Sequence, residues 1–533
     1  MVNENKVVVV GGGISGLISA TLLAKKGIKV TLIEKNEVCG GLVNSFTEEG
    51  FVFDGGIRAI ENAGMIIPMI KELDLDLILL PSKVSLGIEN EVIHTEAENG
   101  INEYETLLKH MYPESIDDVE KVIKVIKDFN VYMEVLFGED SPFYKDKKKD
   151  KKYFCTTFII WFFKFLKTGK AITKMKNSVE DFLHKLISND SLFDIISQHF
   201  FKKTPAFFAM SYFSLYSDYY YPKGGVGKLA QKIEEKFVEL GGTLIVNTEI
   251  CKMDFKLKTL FDKVENSYPY DNLIWCADLK KLYEMVDVDQ VPKKIVQKAR
   301  KEKEKIISSK GAESVFTLYC GINEKPDFFQ NISDGHFFYT PSKKGLGSLH
   351  REDLSQLLNS WEKGNKEQVL TWLNDYCKLN TFEISLPVLN DPDAAPKGQT
   401  GLIVSFLMEY ELVENINKDG WYKEFKTYVE NLVIGILNDT IYPGIKEKII
   451  FKKSLSPLSV KKRVGSSEGA IVGWSFENSV PISAGVINMK NAILTSLPDV
   501  YKAGQWTVSP AGLPTCIMTA KMSCDRVLKD LGK

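Results

Sequence analysis

Hydrophobic positions near the start of the chain fall into three successive rhythms. Val7 to Val10 is an unbroken β-branched run, the pattern of a parallel strand covered on both faces. Leu17, Ala20, Leu23 and Ala24 then recur at helical spacing, Gly27 supplies a C-terminal stop, and Ile28 to Ile33 returns to a strand pattern. Between the first strand and the helix stand Gly11, Gly13 and Gly16, spaced G-x-G-x-x-G. Together these predict a βαβ unit of the dinucleotide-binding kind.

Each polar or glycine position in that unit has a physical role. Gly11 permits the tight turn, Gly13 lets backbone approach a pyrophosphate, and Gly16 lets the helix pack close to the strand. Free N–H groups and the positive dipole end at the start of the helix favour an anion there. Glu34, closing the second strand, is placed to accept hydrogen bonds from a ribose diol and to repel a 2′-phosphate, which disfavours NADP and leaves FAD or NAD. A second glycine pair, Gly40-Gly41, and the turn Asp54-Gly55-Gly56 follow at once. A simple NAD enzyme has no need of them, whereas the longer FAD requires more close-approaching backbone. The residues placed to touch the cofactor are therefore Gly11, Gly13, Ile14, Ser15, Gly16, Glu34, Lys35, Gly40, Gly41, Leu42, Val43 and Gly56.

With these residues the chain resembles the flavin-containing oxidoreductases that include amine oxidases, phytoene desaturases, carotenoid isomerases and retinol saturases. Three later segments carry the resemblance further: Tyr221 to Gly227 with the helix and strand after it, Arg463 to Trp474, and Tyr501 to Pro514 with a helix beginning near Thr515. The resemblance implies backbone contact to the adenine at Ile250 and a glycine-alanine strand at 463–474. It also implies Gly504, Gln505, Gly512 and Leu513 beside the ribityl chain and flavin, with a helix N-terminus that favours the anionic reduced flavin by about 0.3–2 kcal/mol.

The implied architecture is α/β: a Rossmann-like FAD domain from residues 1–85, 222–285 and 455–533, and an α+β substrate domain from 86–221 and 286–454. In the second domain, Val122, Ile123, Val125, Ile126 and Phe129 mark a helical region over 101–220. Residues 313–322, 382–388 and 401–406 read as strands of an antiparallel sheet, and 145–152 and 390–396 read as flexible loops.

The implied activity is FAD-dependent desaturation, saturation or isomerisation of carbon–carbon bonds in a lipophilic, polyene or isoprenoid substrate. A flavin amine oxidase and a prenyl-binding protein that has given up FAD are the alternatives, and retention of the glycines and Glu34 argues against the second. Only one nucleotide motif is present, so the electron donor or acceptor lies outside the chain and its identity stays open. Arg58 is a candidate for the flavin or a polar end of the substrate, with an ordinary salt bridge as the other reading. Tyr219, Tyr220 and Tyr221 either line the substrate tunnel or fill the core.

Composition narrows the remaining classes. The 533 residues are 44% hydrophobic, enough for a large core, and the net charge of -2 gives no reason to expect nucleic acid. Eight scattered cysteines and six histidines lack metal-ligand spacing, which implies reduced thiols and no metal. Cys516 lies near the start of the last helix, where a thiolate is favoured, but a packing role is the preferred reading for it. The first strand leaves no room for a signal peptide, so a cytoplasmic location is expected. The lysine-flanked aromatic stretch around 153–170 is too short to span a bilayer, and reads either as a core helix or as an interfacial one with Trp161 and Phe162 in the acyl region.

Overall fold

The computed structural model describes residues 6–95, 100–137, 142, 145, 150–173, 175, 177–213, 219–361, 366–481 and 489–533. The predicted βαβ unit forms from Lys6–Val10, Ile14–Lys25 and Lys29–Ile33. Lys6–Val10 is the middle strand of a five-stranded parallel sheet, ordered Thr243–Ile245, Lys29–Ile33, Lys6–Val10, Asn272–Trp275, Val500–Lys502. Val7 and Val9 point to one side of it, where Leu17, Leu229, Ile233 and Ile517 come from helices Ile14–Lys25, Gly227–Glu239 and Leu513–Asp530. Val8 and Val10 point to the other, against Met253 and Leu260 of the meander Ile250–Asp254, Thr259–Asp262, Ser267–Pro269 and against Leu279 and Leu282 of helix Leu279–Met285. The β-branched run is continuous because both faces of its strand are covered.

A second sheet has seven strands, ordered Ile449–Leu455, Ser314–Ile322, Thr400–Met408, Phe382–Ser385, His336–Thr340, Val84–Ile88, Glu91–Thr95. The expected antiparallel pairing holds except between Val84–Ile88 and His336–Thr340, which run parallel. Nearly 250 residues separate those two strands in the chain, so no hairpin dictates their direction. One face of the sheet is apolar: Leu318, Val404, Ile384 and Phe337 pack on Leu373, Val429 and Val433 of helices Lys366–Leu379 and Tyr422–Asp439. On the opposite face, Tyr319 and Ile403 meet Phe51 and Phe53 near the cofactor segment. Farther along that face, Phe338, Val84 and Leu86 meet a helical layer that includes Gly100–Met111, Ile116–Phe137 and Asp190–Ser197.

Two expected segments differ. Residues 463–474 are no strand: helix Pro457–Val464 ends at Gly465 and a 3-10 turn Ser467–Gly469 follows. Gly465, Gly469 and Gly473, at φ +80°, +64° and +92°, break any extended run. The stretch 390–396 is held in place, because the buried Asp391 carboxylate accepts from Gly224 N at 2.7 Å and Pro392–Ala394 forms a 3-10 turn. Of the other expected loop, residues 146–149 lie outside the described residues.

Asp54 fastens the returning chain to the N-terminal segment. It is fully buried at the end of strand Phe51–Asp54 and accepts from Ser45 Oγ at 2.8 Å, Val226 N at 2.9 Å and Tyr221 Oη at 2.9 Å. Asp54→Ala leaves three donors without their acceptor, at about 1–3 kcal/mol each, and urea denaturation is expected to show a loss above about 3 kcal/mol; Tyr221→Phe removes one bond and is expected to cost about 1 kcal/mol.

Candidate functional site

A cleft of about 550 Å³ opens at the C-terminal ends of the parallel strands, where ligands of open α/β sheets bind. Its floor is the first glycine loop. Gly11 turns at φ +101°, and a Cβ there would lie 2.9 Å from the backbone of Cys276 and Ala277. A Cβ on Gly16 would fall 1.8 Å from Gly11 O, so the helix and strand touch through bare backbone. Gly13 differs, since nothing lies within 4 Å of a Cβ built there. The loop is thus closed on its protein side and open on its cleft side.

Helix Ile14–Lys25 starts at Gly13 with no side-chain cap and no acidic residue in its first turn, which leaves N–H groups and the positive dipole end for an anion. The Glu34 carboxylate, 7% exposed, is fixed by Gly12 N at 2.6 Å and by the Asn36 main-chain and side-chain nitrogens, both at 2.9 Å. Beside it, burial draws the Lys35 ammonium below its ordinary value against the pull of Glu34. Gly40 donates its N–H to Gly12 O at 2.8 Å, so the second glycine pair is laid directly on the first loop.

The opposite wall comes from late in the chain. Strand Val500–Lys502 leads into Gly504, at φ +99°, whose N–H is accepted by Thr519 Oγ1 at 3.0 Å. Gln505 donates to Ser466 Oγ at 3.2 Å, and Gly512 caps helix Leu513–Asp530, again with no acid in its first turn.

Gly11, Gly13, Ile14, Ser15, Glu34, Lys35, Gly40, Gly41, Leu42, Val43, Ile250, Gly504, Gln505, Gly512 and Leu513 all line this cleft. Gly16 and Gly56 do not. Gly16 is a packing glycine, and a Cβ on Gly56 would lie 2.0 Å from Leu42 O, so it supports the lining from behind. Arg58 is also displaced from its expected place: it is 4% exposed, outside the lining, and donates to Asp54 O at 2.5 Å and Ser405 Oγ at 2.5 Å. Tyr221 is core, its hydroxyl taken by Asp54. Cys516 lines the cleft, yet burial pushes its thiol up to about 11, because desolvation of a thiolate there outweighs the hydrogen bond with Ser15.

Several lining residues escaped the sequence reading, among them Thr248, Glu249, Ser466 and Asp278. Asp278 is buried and accepts from Ser467 N at 2.5 Å and Lys280 N at 2.8 Å, which joins the cleft to the turn after Gly465. Thr248 and Glu249 follow the C-terminal end of the edge strand Thr243–Ile245, the end of the strands at which ligands of open α/β sheets bind, and that placement is the signal that could have found them.

An open Gly13, two helix N-termini free of acids and a buried carboxylate at the second strand end suit a long dinucleotide with an anionic middle. A family model described as flavin-containing amine oxidoreductase matches residues 14–528. The chain belongs to this family. It is a flavin-dependent oxidoreductase, and the cofactor its cleft is built for is FAD.

Over 93% of its length this flavoprotein is 24% identical to an all-trans-retinol 13,14-reductase from Danio rerio, 82% of which is covered. It is 21% identical to a 4,4'-diapophytoene desaturase from Staphylococcus aureus, with 99% of both chains covered. Among solved structures, an oxidoreductase from Methanosarcina mazei superposes with a TM-score of 0.63 at 14% identity, covering 98% of this chain and 100% of that one.

In this flavoprotein Glu34 would hold the ribose, the Gly11–Gly13 loop and the start of helix Ile14–Lys25 the pyrophosphate, and Gly504, Gln505 and the start of helix Leu513–Asp530 the flavin end. Bound FAD supplies hydride chemistry, while the chain orients the cofactor and keeps water from it. Gly13→Val fills space that only the cofactor needs: flavin absorbance should show affinity falling at least tenfold, about 1.4 kcal/mol, with the cofactor-free protein as stable as wild type in urea. Gly16→Ala drives a Cβ into Gly11 O and is expected to destabilise the cofactor-free protein itself by about 2 kcal/mol or more.

Proposed function

We propose that this protein desaturates, saturates or isomerises carbon–carbon bonds of a lipophilic polyene or isoprenoid substrate that it takes from a membrane surface. Support for the chemistry comes from relatives named for retinol reduction and diapophytoene desaturation, aligned over nearly the whole chain. Support for the membrane comes from helix Thr157–Thr173, the observation that carries this reading.

Along that helix Ile159, Ile160, Phe162, Phe163 and Leu166 are 54%, 62%, 43%, 66% and 52% exposed, with Lys164, Lys167 and Lys170 exposed among them. Isolated exposed apolar residues are ordinary; five on one helix form a contact surface. At 17 residues the helix is about 26 Å long, and no helix among the described residues is long and apolar enough to cross a membrane. An interfacial position satisfies both halves of the pattern, with rings and aliphatic groups in the acyl boundary and lysines at anionic head groups, worth about 1 kcal/mol each. Trp161, expected to face lipid with Phe162, turns inward instead: it is 9% exposed and donates its indole N–H to Val135 O at 2.6 Å.

The membrane reading is checked by liposome flotation with anionic vesicles, where Ile160→Glu, Phe163→Glu should abolish binding and Trp161→Phe should leave it intact; equal flotation of wild type and the double variant would refute it. The chemistry is checked by an anaerobic absorbance spectrum: flavin bands should bleach with dithionite and return in air, while a panel of primary amines should leave them unbleached. Bleaching by amines with peroxide release on reoxidation would make the protein an amine oxidase.

A further inference from the structure

Positive charge is unevenly spread over this nearly neutral chain. Residues 293–305 hold seven lysines and arginines against two glutamates, although the net charge of the whole is -2. Most of that segment forms the first part of helix Val296–Ser308. Lys298, Lys301 and Lys305 recur there at three and four residues and so share one face, with Lys293 and Lys294 in the turn just before it. All five are exposed. Among the described residues no carboxylate pairs with any of them.

Three neighbouring charges of the segment are engaged instead. Arg300 pairs with Asp289 at 2.9 Å, Lys303 donates to Val286 O at 2.8 Å, and Glu302 accepts from Ser496 N at 2.7 Å. The lysine face itself disfavours the helix slightly, because like charges one turn apart repel. Neither the fold nor the cleft makes use of it.

The underside of the same helix leads to the flavin end of the cleft. Ala299 and Ile306 are buried in the apolar cluster that holds Trp474 and Trp506. Just past the helix, Lys310 O accepts from Ser475 N at 3.0 Å and Gly311 bridges to Trp474. The two indoles meet edge to face at 4.6 Å, and Trp474 donates its indole N–H to Trp506 O at 3.0 Å. Trp506 in turn lines the cleft beside Gln505. Packed side chains and hydrogen bonds therefore connect the lysine helix to the wall that would hold the flavin.

A flavin-dependent oxidoreductase with a single nucleotide motif exchanges electrons with a molecule outside the chain. Lysine ammoniums, as strongly hydrated point charges, attract such a molecule without the rigid bidentate pairing of arginine. Transient redox encounters bury less than about 1,200 Å², an area that a short helix face and its surroundings can supply. An anionic membrane is the other polyanion that lysines attract, yet an interfacial helix also needs apolar anchors. Among residues 293–308 Ile307 is the one large apolar residue that is exposed, at 39%, and two positions beyond Lys305 it points away from the lysine face. Charge without anchors fits the surface of a water-soluble acidic protein.

We propose that Lys298, Lys301 and Lys305 of helix Val296–Ser308 dock an acidic one-electron carrier protein that exchanges electrons with the bound flavin. Each carrier molecule gives up or takes one electron. Two encounters thus supply or remove the two electrons that separate oxidised FAD from its anionic reduced form, and one proton is exchanged with water. This holds for whatever substrate the flavin serves.

The test uses the FAD-loaded protein with a plant-type ferredoxin, an acidic one-electron carrier, as the probe. Oxidised ferredoxin is titrated by calorimetry, and reduced ferredoxin is mixed with the oxidised flavoprotein in anaerobic stopped flow, both from about 20 to about 300 mM salt. Wild-type affinity and second-order rate should each fall about tenfold or more over that range. Lys298→Glu, Lys301→Glu and Lys305→Glu together should bring both to the high-salt level even at low salt, while arginine at the same three positions keeps wild-type behaviour. Glutamine at the three positions, with a severalfold loss, serves if the glutamate variant does not fold. Reduction by photoreduced deazariboflavin, a small neutral molecule, should be equal in all. Absence of ferredoxin binding by wild type, salt-independent rates, or equal rates in wild type and the glutamate variant overturns the inference. A loss with deazariboflavin as large as with ferredoxin places the effect in the cofactor site and overturns it too. Unaltered ferredoxin binding by the glutamate variant together with lost flotation on anionic vesicles overturns it in favour of a membrane contact.

Discussion

The contact of bare backbone at the first glycine loop is the constraint on which the rest of the molecule depends. Helix Ile14–Lys25 can point its N-terminus into the cleft only because Gly16 lies against Gly11, and Gly11 lies against Cys276 and Ala277. That last contact ties the N-terminal βαβ unit to a strand more than 260 residues away in the chain. Gly40 and Gly41 then stack on Gly13, and Ser15 meets Gly504. A cleft assembled from four distant segments is held to its shape by glycines that leave nothing adjustable between them, with the open side at Gly13 as the exception.

The two sheets divide the labour by how each treats its faces. The parallel sheet is covered on both sides by apolar layers, so its polar business is confined to the ends of its strands. The seven-stranded sheet buries one face in a large apolar core and keeps polar atoms on the other, between the aromatic group around Phe53 and the helical layer. The parallel sheet therefore presents its site along an edge, and the two sheets meet near Asp54 and Arg58, four residues apart.

The cofactor half of this protein was legible in the sequence because its chemistry is local: strand, turn, helix and acid follow one another within residues 6–34, and backbone glycines announce themselves. Most of the residues expected to touch the cofactor line the cleft for that reason. Gly16, read as the glycine that lets helix and strand pack, does so without reaching the cleft, and Gly56 was taken for a contact because a glycine needed for packing and one needed for ligand approach look alike until the neighbouring backbone is placed. Burial, which sequence does not report, decided the partners of Arg58 and, in line with the packing reading, the protonation of Cys516.

The parallel sheet also sets a timetable for synthesis. Its central strand emerges first, yet the neighbour of Asn272–Trp275 on the far side is Val500–Lys502, and the helix that closes the cleft follows at Leu513–Asp530. At about 5–20 residues per second, the N-terminal strand waits roughly half a minute or more for its last partners. During that interval Val7 to Val10 and the glycine loop have no complete sheet to join, and FAD has only part of a binding site. Cofactor capture must therefore wait for Leu513–Asp530 to emerge, as a late closing event that converts an incomplete βαβ fragment into a finished flavoprotein.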